Sequence, residues 1–158
     1  MAGNVKPIPD NYHSVTPYLV VEGAAKAIEF YRKAFGATEL MRMPAPGDRI
    51  GHAEIKVGDS IVMIADASVE MGHKDPKILG GSPVSLLIYV EDADATVASA
   101  VAAGAKVSRP LENQFWGDRM GDVTDPFGHR WHVATHVEDV SPEEMKRRME
   151  SMTTAAAK

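Results

Sequence analysis

The chain has 158 residues, 44% of them hydrophobic and 25% charged, with a net charge of −5 and no cysteine. That length suits one domain or two small modules sharing a core, and the missing thiols exclude disulfides, thiolate metal centres and cysteine nucleophiles. The acidic balance argues against a phosphate-tracking surface. The opening MAGNVKPIPDNYH lacks a signal peptide's apolar core, and no run approaches the ~20 apolar residues of a membrane span, so we expect a cytoplasmic protein with neither nucleic-acid nor membrane partners.

In chain order, residues 14–22, SVTPYLVVE, are rich in β-branched and aromatic types and predict a strand, with Pro17 pointing to a sheet edge or a bulge. From 24 to 35, Ala24, Ala27, Ile28, Tyr31, Ala34 and Phe35 recur at three- and four-residue steps, which predicts a helix with one buried stripe, stopped by Gly36. Three strands follow at 38–43, 52–57 and 60–66, the last two joined by a tight Gly58-Asp59 hairpin. Residues 67–83, with two prolines, three glycines and no period, read as a linker that could also serve as a flap. A second series then runs: strand 84–91, helix 93–103, strand segments at 106–111 and 119–124, an Asp125-Pro126-Phe127-Gly128 turn, and strand 130–137. Ser141-Pro142-Glu143-Glu144 is a capping box that opens a terminal helix, whose Met145, Met149 and Met152 form a stripe suited to its own domain or to a second protomer.

The two series echo one another. Gly36-Ala37 answers to Gly104-Ala105, Val20-Val21-Glu22 to Tyr89-Val90-Glu91, and GDRIG at 47–51 to GDRMG at 117–121, all at spacings of 68 to 70. With Gly58 answering to Gly128 at 70, four landmarks in one order at nearly one offset indicate an internal duplication. The predicted fold is α+β: two β-α-β-β-β modules, 12–66 and 84–138, joined by a linker at 67–83 and followed by a C-terminal helix and tail at 139–158.

With Tyr18-Leu19, Phe30-Tyr31 and Phe35-Gly36 in the first module, and Trp116-Gly117-Asp118-Arg119 and Asp125-Pro126-Phe127-Gly128-His129-Arg130-Trp131 in the second, the chain resembles the vicinal oxygen chelate superfamily. That superfamily groups glyoxalases, bleomycin-resistance-type binding proteins and extradiol dioxygenases, and the resemblance points to its PhnB-like branch over about residues 12–150. It implies half-barrel sheets around a cavity, commonly within a homodimer, and in metal-using members one ligand on the first and one on the last strand of each module. Those positions fall on Thr16 and Ser85, on His132, and near Asp66. Hydroxyls are poor ligands for divalent transition ions, so the expectation is a pocket without cofactor or metal, with Asp66 and His132 as the ligands if a divalent ion is present.

By alternation, His52 and Glu54 share one strand face while Ala53, Ile55 and Val57 take the other, and His132 and His136 share a face opposite Trp131 and Val133. His52, Glu54 and His132 are the candidate acid–base residues. His129 and His73 read as surface residues, and His13 falls on the face opposite Thr16. Arg49 and Arg119 occupy like places in the echo and would either clamp an anion or pair with nearby carboxylates such as Asp48, Asp118 or Glu54. Thr16, Tyr18, Ser85, Trp116 and Arg119 are the candidate pocket residues, with Trp116 the stacking surface. No phosphate loop, dinucleotide fingerprint, HExxH or nucleophile elbow is present. Two functions stand: a protein that binds a small, aromatic or anionic molecule, or a divalent-metal lyase or isomerase of glyoxalase type acting next to a carbonyl.

Overall fold

The computed structural model describes residues 5–156; residues 1–4 of the N-terminal segment and the last two of the tail lie outside that range. The first module runs β1 (Tyr18–Val21), α1 (Ala24–Phe35), β2 (Thr38–Ala45), β3 (Arg49–Val57) and β4 (Ser60–Asp66). After a short helix, α2 (Pro76–Leu79), the second runs β5 (Ser85–Tyr89), α3 (Ala93–Ala102), β6 (Lys106–Asn113), β7 (Asp118–Thr124) and β8 (Arg130–His136), and α4 (Pro142–Ala156) closes the chain. The sheets have the orders β1-β4-β3-β2 and β5-β8-β7-β6. In each, the first strand pairs in parallel with the last and the remaining pairs are antiparallel. The duplicated β-α-β-β-β plan is therefore the architecture, and Pro17 immediately precedes an edge strand.

Sequence sets each helix locally. The apolar stripe of α1 buries Ala24, Ala27, Ile28, Phe30, Tyr31 and Ala34, and Gly36, at φ 66°, ends it by donating to the carbonyl of Arg32. No side chain at Gly23 caps the start. The Asp66 carboxylate, arriving from the end of β4, accepts from the amides of Gly23 and Ala24 at 2.8 Å each, supplying the acceptor that orphan helix amides need. In the second module Thr135 stands at the same place: its hydroxyl accepts from the amide of Ala93 at 2.9 Å.

Helices α1 and α3 lie against one another and against their own sheets, so a single core fills the helix side of both modules. At its centre Trp131 and Tyr31 are almost wholly buried, with Phe35 4.8 Å from the Trp131 ring. Buried Asp125 joins the modules. One of its oxygens accepts from Tyr31 Oη at 2.6 Å and Trp131 Nε1 at 3.0 Å, the other from the amides of Phe127 and His129. His129 is half-buried rather than on the surface, its Nε2 3.0 Å from the carbonyl of Val20.

Two expectations change. Residues 67–83 are more than a linker: a 3₁₀ turn at Val69–Met71 and α2, capped by buried Asp75, dock Pro76 beneath Gly128, where an added Cβ would stand 2.8 Å from the proline. The two Gly-Asp-Arg phrases are not structural equivalents either. Ladder register makes Glu54 the counterpart of Asp122, a spacing of 68, so the phrases at spacing 70 sit two residues out of step. Asp48 lies in a turn at φ 56°, whereas Asp118 is a buried strand residue, so Arg49 and Arg119 are not equivalent.

Candidate functional site

Alternation along the strands gives each sheet one face on the core and one turned away from it. On β3, Ala53, Ile55 and Val57 are buried on the helix side, which leaves His52 and Glu54 on the open face, as the pattern of HAEIKV predicted. There a hydrogen-bonded chain runs from Tyr18 Oη to His52 Nδ1 (3.0 Å), from His52 Nε2 to Glu54 Oε1 (3.3 Å), and from Tyr12 Oη to Glu54 Oε2 (2.5 Å). The bond to Glu54 raises the Tyr12 hydroxyl above its ordinary pKa.

The open face of the second sheet carries a longer constellation. Ser85 at the start of β5 lies 2.8 Å through Oγ from His132 Nε2 on β8, and His132 Nδ1 lies 2.6 Å from Oδ1 of Asp122 on β7. The Asp122 side chain has no solvent exposure, that of His132 is 24% exposed, and Ser85 is exposed. Arg130 donates through Nη2 to the other Asp122 oxygen, and Arg109 Nη2 stands 3.1 Å from Oδ1. Burial pushes the Asp122 carboxyl up, but the bonds from His132 and Arg130 and the charges of His132 and Arg109 outweigh it, so its pKa falls below the ordinary range. With Nδ1–H donating to the ionised Asp122 carboxylate, a neutral imidazole keeps its lone pair on Nε2, facing the serine.

Further along the same face, Asp118 gathers His136 Nδ1 (2.8 Å), Tyr89 Oη (2.9 Å) and Trp116 Nε1 (3.0 Å), and His136 Nε2 reaches Asp139 at 3.0 Å. Trp116 is thus anchored by its indole N–H. The hydrogen bonds to Asp139 and Asp118 raise the His136 pKa above 6.5.

The predicted residues fall into separate groups. Ser85 and His132 meet directly, and Tyr18, His52 and Glu54 form their own chain. Thr16 bonds the carbonyl of His13 at 3.1 Å and borders a depression with Tyr12 and Met63 on the first sheet. Among the described residues no hydrogen bond or ion pair joins the two open faces. Arg119 turns to the helix side, forking onto Asp94 of α3 at 2.5 and 2.6 Å, and Arg49 bonds the carbonyl of Pro46. Asp122 was missed by sequence reasoning. The signal that finds it is its spacing of 68 from Glu54.

Register also corrects the metal alignment. Tyr18 pairs with Met63 as Leu87 pairs with His132, so the counterpart of His132 is Met63, three residues before Asp66. Asp66 spends both oxygens on backbone amides, those of Gly23, Ala24 and Ile50, as a helix cap. The four equivalent positions are Thr16, Met63, Ser85 and His132. Two neutral hydroxyls, a thioether and one imidazole with both nitrogens engaged do not fit the divalent ion of the metal-using relatives. Among the described residues no three His, Asp or Glu side chains are grouped to hold a metal.

Two β-α-β-β-β modules sharing a helical core, each with an open polar face, define a glyoxalase-like class of protein. The family model for the Glyoxalase/Bleomycin resistance protein/Dioxygenase superfamily matches residues 12–133, and the chain belongs to that superfamily. An uncharacterized protein of Mycobacterium bovis is 44% identical over 154 residues, covering 96% of this chain and 97% of its own. The crystal structure of an Arabidopsis thaliana gene product, 33% identical, superposes with a TM-score of 0.64 over 78% of this chain and 98% of that one. A PhnB protein from Bacillus cereus, titled a putative 3-demethylubiquinone-9 3-methyltransferase, shares the fold at 16% identity, with a TM-score of 0.60 over 78% of this chain and 99% of its own.

Proposed function

We propose that the protein binds a small, aromatic or anionic molecule without a metal, against the open sheet faces, which are paired between two protomers of a homodimer. One observation carries this reading: the open faces present large apolar and aromatic side chains to solvent beside ordered polar groups. Tyr18 is 46% exposed, Leu87 45% and Tyr89 62%. A ligand pocket is built from such apolar walls with a few placed polar groups. Each face is half of such a pocket, and a second protomer would supply the other half. Met149 and Met152 of α4, both more than half exposed, add apolar surface for the partner. On the second sheet two guanidinium groups share one carboxylate, and the surplus positive charge favours an anionic or acyl group. The acidic, cysteine-free chain suits the cytoplasm.

A divalent-metal lyase or isomerase would need donors that Thr16, Ser85 and Met63 do not provide. The test combines elemental analysis after chelator washes with thermal-shift titration of aromatic carboxylates in the presence of EDTA. Stabilisation that persists in EDTA, with less than a tenth of an equivalent of metal per chain, is the expected result. About one retained equivalent of nickel, zinc or manganese would overturn the metal-free reading.

A further inference from the structure

Ser85, His132 and Asp122 stand on three adjacent strands, β5, β8 and β7, and are joined serine to imidazole to carboxylate at 2.8 and 2.6 Å. We propose that this row is a nucleophilic serine centre, in which Ser85 attacks a carbonyl carbon or a phosphonyl phosphorus that carries a good leaving group, the substrate class being activated esters. It deepens the binding reading by naming the reactive class of ligand, and rests on that reading only for the placement of a ligand over the second sheet's open face.

Each part has the state its role needs. The buried carboxylate fixes the imidazole tautomer, the imidazole lone pair on Nε2 faces the hydroxyl, and the hydroxyl is open to solvent. Arg130 lies directly across the ladder from Ser85. Its half-exposed guanidinium, held on Asp122, gives a developing oxyanion a positive neighbour.

The duplication supplies a control. The first module has Thr16, Met63 and Glu54 at the same three positions, where Thr16 turns to the carbonyl of His13 and Glu54 to Tyr12 and His52 rather than to one another, and its sheet is complete. The fold therefore does not require the Ser85, His132, Asp122 connection. A buried carboxylate with several cations is also a costly way to hold three strands together, since apolar side chains of similar size would do so equally well.

The reaction balances with water alone. As the bond from Ser85 Oγ to the acyl carbon forms, the hydroxyl proton passes to His132 Nε2. Collapse breaks the bond to the leaving oxygen, which takes that proton and departs as an alcohol. Water then attacks the acyl-serine, giving its proton to Nε2. The ester bond to Ser85 breaks, the acid leaves, and Oγ regains the proton.

The test incubates the full-length protein with a fluorophosphonate probe and, separately, with p-nitrophenyl acetate. Expected is one phosphonyl adduct per chain by intact mass, mapped to Ser85, and acetate hydrolysis with a burst of p-nitrophenol. Both should be abolished in Ser85→Ala and slowed at least about 100-fold in His132→Gln. The wild-type labelling rate should rise with pH through a single ionisation that His132→Gln removes, a signature that a merely structural hydrogen bond would not produce. Ser85 is exposed, so Ser85→Ala is expected to fold, and circular dichroism checks each variant. No adduct on the wild type, or an adduct that survives Ser85→Ala, overturns the proposal. Titrating the aromatic carboxylates against Ser85→Ala separates the two readings, because binding there together with an unlabelled wild type leaves the pocket standing and removes the nucleophile.

Discussion

Tyr31 carries a hydroxyl into a core where it meets one acceptor, Asp125, at 2.6 Å. Burial and the neighbouring carboxylate hold its pKa well above 10, so the hydroxyl stays a neutral donor across the ordinary pH range. Tyr31→Phe leaves Asp125 with its other donors and is expected to cost about 1–3 kcal/mol, read as a lowered urea midpoint with unchanged slope. His136 makes a second prediction. Its folded pKa is raised by Asp139 and Asp118, so its stabilising contribution is complete below the unfolded value near 6.5 and disappears as pH climbs through the folded value. Melting temperature should therefore fall slightly between pH 6 and pH 8, and His136→Gln should flatten that fall. At this scale the sequence was informative where alternation is strict, as in His52 and Glu54 against Ala53 and Ile55. Asp122 is legible only through its spacing of 68 from Glu54, which the more conspicuous GDRIG and GDRMG phrases, at a spacing of 70, obscure.

Among the elements, α1 was legible to the residue, since a stripe of apolar side chains ending in glycine has few other solutions. Its start was not. Gly23 offers no cap, and the acceptor comes from Asp66, far along the chain. Asp66→Ala is expected to destabilise by about 2–4 kcal/mol by orphaning three amides, those of Gly23, Ala24 and Ile50, while Asp66→Asn recovers part of the loss. A metal ligand would show a different pattern, with stability tracking added ion. Gly117, immediately before β7, is tightly enclosed: at φ 101°, an added Cβ would lie 2.0 Å from the carbonyl oxygen of Glu138. Gly117→Ala should therefore cost about 3 kcal/mol or more in denaturant unfolding, since the backbone must move. The docking of residues 67–83 escaped prediction because it depends on Pro76 fitting under Gly128 of the second module, a contact no local period encodes.

At the scale of the whole molecule, the duplication was readable because each module repeats the order of its breaks as well as its apolar pattern. The metal alignment slipped by three residues because it was counted from motifs, whereas the ladder fixes it by pairing. Light scattering after size exclusion should give twice the 17.1 kDa chain mass if the proposed homodimer forms, and a mass of one chain would overturn that proposal.

The Asp125 joint bears on how the molecule could be taken apart. Because that carboxylate belongs to the second module and one of its donors to the first, neither half satisfies its own interior. A chain cut after Gly72 should yield two pieces that stay soluble poorly by themselves, yet reassemble when mixed, restoring Trp131 fluorescence to its intact wavelength.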